Sequence, residues 1–528
     1  MKPISLARGF MTVGFWTLLS RVFGFARDIL IAAYLGAGPI AEAFLVAFSL
    51  PNMFRRFFAE GAFNMAFVPL FSKKLEGGED AEKFAQDAFV GMAFVLLIFT
   101  VIGIIAMPGL VWLMASGFVG DERFDLAVEY GRLAFPYILF ISLTALVSGV
   151  LNGAGRFTAA AAAPVLLNVV FIGGIIISAL LGRPASDALG VGLDQALGLR
   201  VGDTLALSVP LGGVAQLALV WWAAKRAGFT LKLARPHFTP ELKRLFIIAA
   251  PAALAGGVVQ INLLAGRQVA SFFDGAVAWL TYADRLYQLP LGVVGVAIGV
   301  VLLPDLSRRL RAGDVSGGKD AYSRATELSL ALTLPAAVAL VVIPGPLISV
   351  LFQRGAFTAA DTSATALAVL VYGLGLPAFI LQKVLQPLFY AREDTRRPFY
   401  YAVVSMFVNV GLAMGLAPYI GFIAAALGTT LSSWAMVGQL WWGARDMGDA
   451  ARYDARFKAR IGRIFMACLI MGGVLWVAAD LMAPWLAAPA VRYLALAGLI
   501  GLGVVSYFGA GQMVGAFRLQ DFRRATRR

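Results

Sequence analysis

A chain of 528 residues that is 60% hydrophobic and 14% charged, with mean hydropathy +0.81, is far more apolar than a soluble globular protein. This composition excludes a disordered chain, a collagen or coiled-coil fibre and a disulfide-stapled secreted domain, because the single cysteine, Cys468, sits in an apolar run as inert packing. The 44 Lys+Arg against 30 Asp+Glu give +14, but most of the basic residues lie in short segments between apolar runs, where they meet anionic membrane lipids; nucleic acid is excluded as a partner.

Runs of about 20 apolar residues with Gly, Pro and charge breaks between them predict an all-α polytopic membrane protein with about fourteen transmembrane helices. The first covers 9–34 and is interrupted by Arg21, Arg27 and Asp28 with no small-x-small cleavage site following, which reads as a retained helix and not a signal peptide. The others follow at 40–72, 86–116, 126–152, 157–182, 205–225, 245–273, 276–306, 322–352, 362–390, 397–418, 420–444, 461–482 and 489–516. Alternate loops are rich in Lys and Arg, from Lys73, Lys74 and Lys83 to the Arg523, Arg524, Arg527, Arg528 tail, whereas the opposite set offers little besides Arg123, Arg183, Arg200, Arg354 and Arg492. That bias puts both termini in the cytoplasm, which requires an even number of spans.

The halves resemble each other. Pro69-Leu-Phe-Ser-Lys-Lys-Leu75 reads like Pro304-Asp-Leu-Ser-Arg-Arg-Leu310, 235 residues later; Leu50-Pro51 recurs as Leu289-Pro290 after 239, and Pro136 as Pro377 after 241. These offsets predict a duplicated six-helix unit, with lobes at 1–228 and 229–447 and a C-terminal helix pair with a basic tail at 448–528. Gly149-x-x-x-Gly153 and Gly295-x-x-x-Gly299 read as small-residue helix seams.

An ionisable side chain at mid-membrane costs about 2.5 kcal/mol or more, so each one retained is a functional candidate. Arg21 lies about 18 Å in from the cytoplasmic start of the first span, and Arg55 and Arg285 lie about 22 and 14 Å in from the opposite face, at about 1.5 Å per helical residue. All three fall near mid-membrane on spans of both repeats and are expected to face one cavity. Arg keeps its charge and matches phosphate oxygens with a rigid donor fork, so such a cavity suits a pyrophosphate. Internal pairing is the competing reading: Arg21 with Asp28, Arg56 with Glu60 at the i,i+4 spacing, and Arg285 beside Asp284. It does not absorb everything, since Arg21, Arg27, Arg55, Arg56 and Arg285 outnumber Asp28, Glu60 and Asp284 by two; Glu42 lies near the outer mouth.

Ser20-Arg21-Val-Phe-Gly-Phe-Ala-Arg27-Asp28, Leu50-Pro51-Asn52-Met-Phe-Arg55-Arg56-Phe-Phe-Ala59-Glu60-Gly61-Ala62-Phe63, Ala66-Phe67-Val68-Pro69 and Tyr282-Ala283-Asp284-Arg285-Leu286 resemble the MurJ (MviN) lipid II flippases. That family belongs to the multidrug/oligosaccharidyl-lipid/polysaccharide exporter superfamily, and the likeness runs over nearly the whole chain. It implies translocation of the undecaprenyl-pyrophosphate-linked peptidoglycan precursor across the bacterial inner membrane by alternating access. It also implies that Arg21, Arg27, Arg55 and Arg285 bind substrate with Asp28 and Glu42 as acidic partners, Glu42 standing where the family often has Asp. The last two spans resemble a pair that frames a groove for the prenyl tail.

No Walker A, HExxH or paired CxxC motif occurs, so neither cofactor nor metal is expected, and the protein reads as a transporter and not an enzyme. The one histidine, His237, lies in a basic loop. Rival readings are a membrane glycosyltransferase, which would need acids and a metal; a polysaccharide-lipid flippase, separated only by the motifs; and a cation-drug exporter, which would need an acidic cavity. Some relatives are thought to hold sodium between the seventh, eleventh and twelfth spans, but those spans here offer only neutral oxygens on Ser405, Asn409, Thr429 and Thr430, with Arg267 and Lys383 as nearby cations. Arg267 is therefore expected to act as a tethered cation, with flipping driven by membrane potential.

Overall fold

The structure, a computed structural model, describes residues 6–55, 62–181, 201–232, 239, 240, 243, 245, 247 and 264–516. Every long element among them is an α-helix: α1 (Leu6–Leu35), α2 (Pro39–Arg55), α3 (Ala62–Glu76), α4 (Ala81–Ile105), α5 (Met107–Met114), α6 (Glu122–Ala134), α7 (Tyr137–Gly153), α8 (Thr158–Leu181) and α9 (Val201–Arg226). After a helical stretch at 264–270 come α10 (Ala276–Arg311), α11 (Val315–Val342), α12 (Pro344–Phe352), α13 (Ala359–Tyr390), α14 (Arg396–Ile420), α15 (Ile423–Gly443), α16 (Ala455–Leu481), α17 (Ala483–Ala487) and α18 (Arg492–Met513). Nine described helical stretches are long and apolar enough to cross a membrane, and Leu97, Ile105, Phe407, Met414 and Val505 on them are exposed, so lipid is their solvent. The chain is an all-α, multi-pass membrane protein.

Three predicted spans are interrupted. The runs at 86–116, 126–152 and 322–352 divide at Ala106, at Phe135–Pro136 and at Ile343. A proline stands at or within two residues of each break, Pro108, Pro136 and Pro344, where its missing N–H belongs to a turn that has no partner for it anyway. Pro51, Pro69, Pro164 and Pro210 lie inside unbroken helices, which is why composition alone does not locate the breaks.

By its internal contacts the chain divides into two compact units, Met1–Leu264 and Ala265–Arg528. In the first, close helix approach is set by glycine. A Cβ on Gly103 would lie 2.0 Å from the Phe135 ring, and one on Gly153 would lie 2.8 Å from Phe71, so the predicted Gly149/Gly153 seam receives an aromatic edge. In the second unit, Leu302, Leu306, Tyr322, Leu388, Phe389 and Leu440 form a buried cluster joining α10, α11, α13 and α15. The Gly295 seam differs from expectation: a Cβ there would meet Cδ and Cε of Lys383 at 2.8 and 3.0 Å, so it is the alkyl stem of Lys383 that crosses it.

Backbone turns repeat between the units. The left-handed residues Gly36, Gly78, Gly120 and Gly155 recur as Gly275, Gly313, Gly355 and Glu393, at offsets of 239, 235, 235 and 238. Asp80 caps α4 through the Lys83 amide, as Asp314 caps α11 through the Gly317 amide. The offsets match those of the proline landmarks.

The last helices pack on α11. Tyr507 of α18 donates from its hydroxyl to the Ala331 carbonyl at 2.6 Å, and Tyr322 stacks on Tyr453 with their hydroxyls 2.7 Å apart. Beneath them the buried Glu327 accepts from Arg324 and Arg460 at 2.8 Å each and from Arg456 at 3.4 Å, while Arg324 also reaches Asp320 and Asp454. Three cations and three carboxylates thus meet, which is how a carboxylate 9% exposed is tolerated.

Candidate functional site

In the first unit, α1 passes α8 where Gly24 lets Asn168 approach; a Cβ on Gly24 would sit 3.6 Å from its Nδ2. Asn168 Nδ2 donates to the Ser20 carbonyl at 3.1 Å and to Pro164 at 3.3 Å, leaving its Oδ1 to accept from Arg27 at 3.0 Å. Arg27 also donates through Nε and a terminal nitrogen to one oxygen of Asp28, at 3.0 and 2.7 Å. Its guanidinium carbon lies 5.6 Å from the Phe48 ring centroid and 5.3 Å from that of Phe171, which adds cation–π attraction. Three bonds leave two of the five N–H donors of Arg27 for a ligand.

The pairing therefore differs from one candidate scheme: Asp28 binds its neighbour Arg27 and not Arg21. Arg21, half-buried nearly two turns earlier on α1, makes no hydrogen bond or ion pair among the described residues. Arg55 is half-buried at the end of α2. Arg56 and Glu60 lie outside the described residues.

Glu42, only 1% exposed, is committed elsewhere. Arg123 of α6 donates to it at 3.0 Å and to Asp121 at 2.6 Å, and lies over the Phe118 ring at 4.6 Å. Slight desolvation raises the Asp121 pKa, but the Arg123 amide, guanidinium and charge outweigh it and hold that carboxyl below its ordinary value. The equivalent place in the second unit carries a neutral contact: Trp279 of α10 donates to Asp361, the residue that closes the capping box of α13, at 2.8 Å. Sequence reading placed Arg123 in an outer loop and missed its partner, 81 residues away.

In the second unit, Asp284 and Arg285 sit half-buried near the start of α10. Gln288 one turn on donates to Asp284, and Arg285 and Arg267 are its charged neighbours. Arg267 thus faces α10, while Lys383 is exposed on α13. Ser405 and Asn409 are buried on α14: Gln439 of α15 donates to Ser405 Oγ at 3.3 Å, and a Cβ on Gly428 would lie 2.7 Å from Asn409 Oδ1. Both serve the close α14–α15 approach. Among the described residues no group of three or more His, Cys, Asp or Glu is placed to hold a metal. Asn168 is the residue that sequence reading overlooked; an amide inside an apolar run was its only signal.

A family profile described as lipid II flippase MurJ matches residues 31–496. The chain belongs to this family. Probable lipid II flippases of Rhizobium tropici and of Rhizobium meliloti (strain 1021) are each 42% identical to it, over 99% of this chain and 97% of theirs. The lipid II flippase of Burkholderia cenocepacia is 35% identical over 99% of both. Among solved structures, a lipid II flippase in an inward closed conformation superposes with TM-score 0.76 at 24% identity, over 98% of this chain and all of that one. An inward-facing multidrug resistance transporter of the MATE family, of the MOP superfamily, gives 0.66 at 17%, over 82% and 95%. These likenesses carry the fold, and the sequence matches carry the family.

Proposed function

We propose that the protein is a lipid II flippase of the bacterial inner membrane, moving the undecaprenyl-pyrophosphate-linked peptidoglycan precursor from the inner to the outer leaflet by alternating access, without covalent chemistry. The observation that carries this reading is full-length membership of the family at up to 42% identity. In this reading the chain has fourteen spans with both termini cytoplasmic, two six-helix lobes at 1–228 and 229–447, and a tail-binding pair at 448–528. The recurrence of four left-handed turns at offsets of 235–239 favours the duplication.

Arg21, Arg27, Arg55 and Arg285 take the pyrophosphate. Asp28 and Asn168 hold the Arg27 fork in place, Glu42 holds its end of the first lobe through Arg123, and Asp284 orients beside Arg285. Arg56 and Glu60 form a supporting pair, while Arg267, Lys383, Ser405 and Asn409 belong to energy coupling. An anion with several oxygens suits guanidinium forks, and a neutral or cationic cargo does not. Depletion of the protein in its host is expected to raise lipid II on the inner leaflet. Alanine at Arg21, Arg55 or Arg285 should abolish rescue with membrane insertion intact, and Lys should rescue poorly; full activity of two such alanine variants refutes the clamp.

A further inference from the structure

Two arginines in the second unit lie against one aromatic ring, with no acid paired to either among the described residues. Arg354 follows α12 and Arg492 opens α18; their guanidinium carbons lie 5.7 and 5.1 Å from the centroid of one ring, Tyr493. Arg492 donates to the Gln353 carbonyl at 3.3 Å and to the Tyr493 hydroxyl at 3.2 Å, so the two chain segments are tied. Arg354 spends one terminal nitrogen on the carbonyls of Val350 and Leu351. The Nε of each arginine is buried and bonded to nothing, and neither residue pairs with a carboxylate among the described residues. Asp361, the acid nearest Arg354 in the sequence, is engaged by Trp279 and Thr358.

Such an arrangement is costly as it stands. Two like charges share a half-buried place, and burial, then the charge of Arg492, push the Arg354 pKa down. Arg492 also sits at the positive end of the α18 dipole, a helix start with no acid in its first turn and no side-chain cap. One group answers the charge and the uncapped helix start together: an anion with several oxygens, accepting from the guanidinium groups. The surroundings say where it comes from. Tyr493, Leu494 and Trp485 are 48%, 76% and 57% exposed at this end of the helices, and aromatic residues of that kind sit at headgroup depth.

We propose that Arg354, Arg492 and Tyr493 form a phosphate site for a lipid headgroup in the leaflet opposite the cytoplasm. The leaflet assignment rests on the proposed topology, whereas the site itself does not. It gives the last helix pair a headgroup anchor on the side where a flipped substrate would emerge, apart from the arginines of the proposed clamp.

The test uses the full-length protein in detergent, as wild type, R354Q/R492Q and R354K/R492K. Native mass spectrometry compares phosphatidylglycerol with phosphatidylcholine, and equilibrium dialysis measures inorganic phosphate. A first phosphatidylglycerol bound at least tenfold tighter than phosphatidylcholine, with that preference lost in R354Q/R492Q and partly kept in R354K/R492K, is expected. Equal preference in wild type and R354Q/R492Q at unchanged circular dichroism overturns the site. Saturable inorganic phosphate binding that the Gln variant loses, without any lipid preference, keeps an anion site and overturns its lipid source. Labelling of Tyr493→Cys in a Cys468→Ser background by an impermeant reagent from the cytoplasmic side alone overturns the leaflet assignment. Binding is read without translocation, so a wild type that fails to flip lipid II overturns the proposed function and leaves this result standing.

Discussion

Asn168 offers the sharpest test of how the first unit holds its arginine. In Asn168→Leu, similar in size but apolar, the charged donor Arg27 loses its 3.0 Å acceptor and the Ser20 carbonyl loses its 3.1 Å donor. A hydrogen bond to a charged group contributes about 1.5–3 kcal/mol and a neutral one about 1. The expected loss is about 2–4 kcal/mol, a fall in melting temperature on the order of 5–10 °C for a unit of this size. Asn168→Asp separates that effect from charge. It keeps the acceptor for Arg27 but, like Leu, loses the donor to the Ser20 and Pro164 carbonyls, so it should melt between the Leu variant and wild type, and it brings a second carboxylate to a guanidinium that already serves Asp28. A unit charge at about 4 Å contributes about 4 kcal/mol at an effective dielectric of about 20, enough to lower anion affinity by two orders of magnitude or more. Melting is read by size-exclusion of heated samples, and transport by rescue of a depleted host. If the Leu variant melts like wild type, or the Asp variant supports growth like wild type, the reasoning about this triad is wrong.

Arg123→Leu should lower folded yield, because it takes the guanidinium from Glu42 at 1% exposure, a loss of about 3–5 kcal/mol; adding Glu42→Gln should restore most of the yield, and a double variant no better than the single would break the argument. Cysteines placed at 183–203 and at 354, in a Cys468→Ser background, should react with an impermeant reagent from outside while those at 232 and 319 stay protected; the reverse pattern would overturn the charge-bias topology. Flipping in proteoliposomes should follow the membrane potential, which acts at about 2.3 kcal/mol per charge per 100 mV. Sodium stimulation at fixed potential, abolished by Asn409→Ala, would contradict this.

The sequence made the helices legible because hydrocarbon demands long apolar runs, and Pro69/Pro304 and Pro136/Pro377 keep nearly the spacing at which the left-handed turns recur. It did not show where runs break, since Pro51 and Pro108 look alike in a string although only Pro108 opens a new helix. Among site residues, Arg21, Arg27, Arg55 and Arg285 stood out through the cost of charge in an apolar run. Their neighbours did not. Asn168 is neutral and 141 residues from Arg27, and Arg123 looked like a loop charge until α2 and α6 were seen to bring it onto Glu42. Spacing along a chain reveals partners one or two turns apart and is blind to those that meet only through packing.

The two units fasten the same pair of helices with different chemistry. In the first, the start of α2 is held to α6 by a buried guanidinium between two carboxylates; in the second, α10 is held to α13 by an indole N–H on a capping aspartate. An ionic catch is lost when the guanidinium goes, because a buried carboxylate then loses its charged partner in a poor solvent, whereas Arg123 without Glu42 still keeps Asp121. The indole catch loses one neutral donor and leaves a carboxylate that Thr358 still satisfies, so it yields by degrees. The second unit thus has the softer catch, and the two fastenings differ in how they give way when a single side chain is lost.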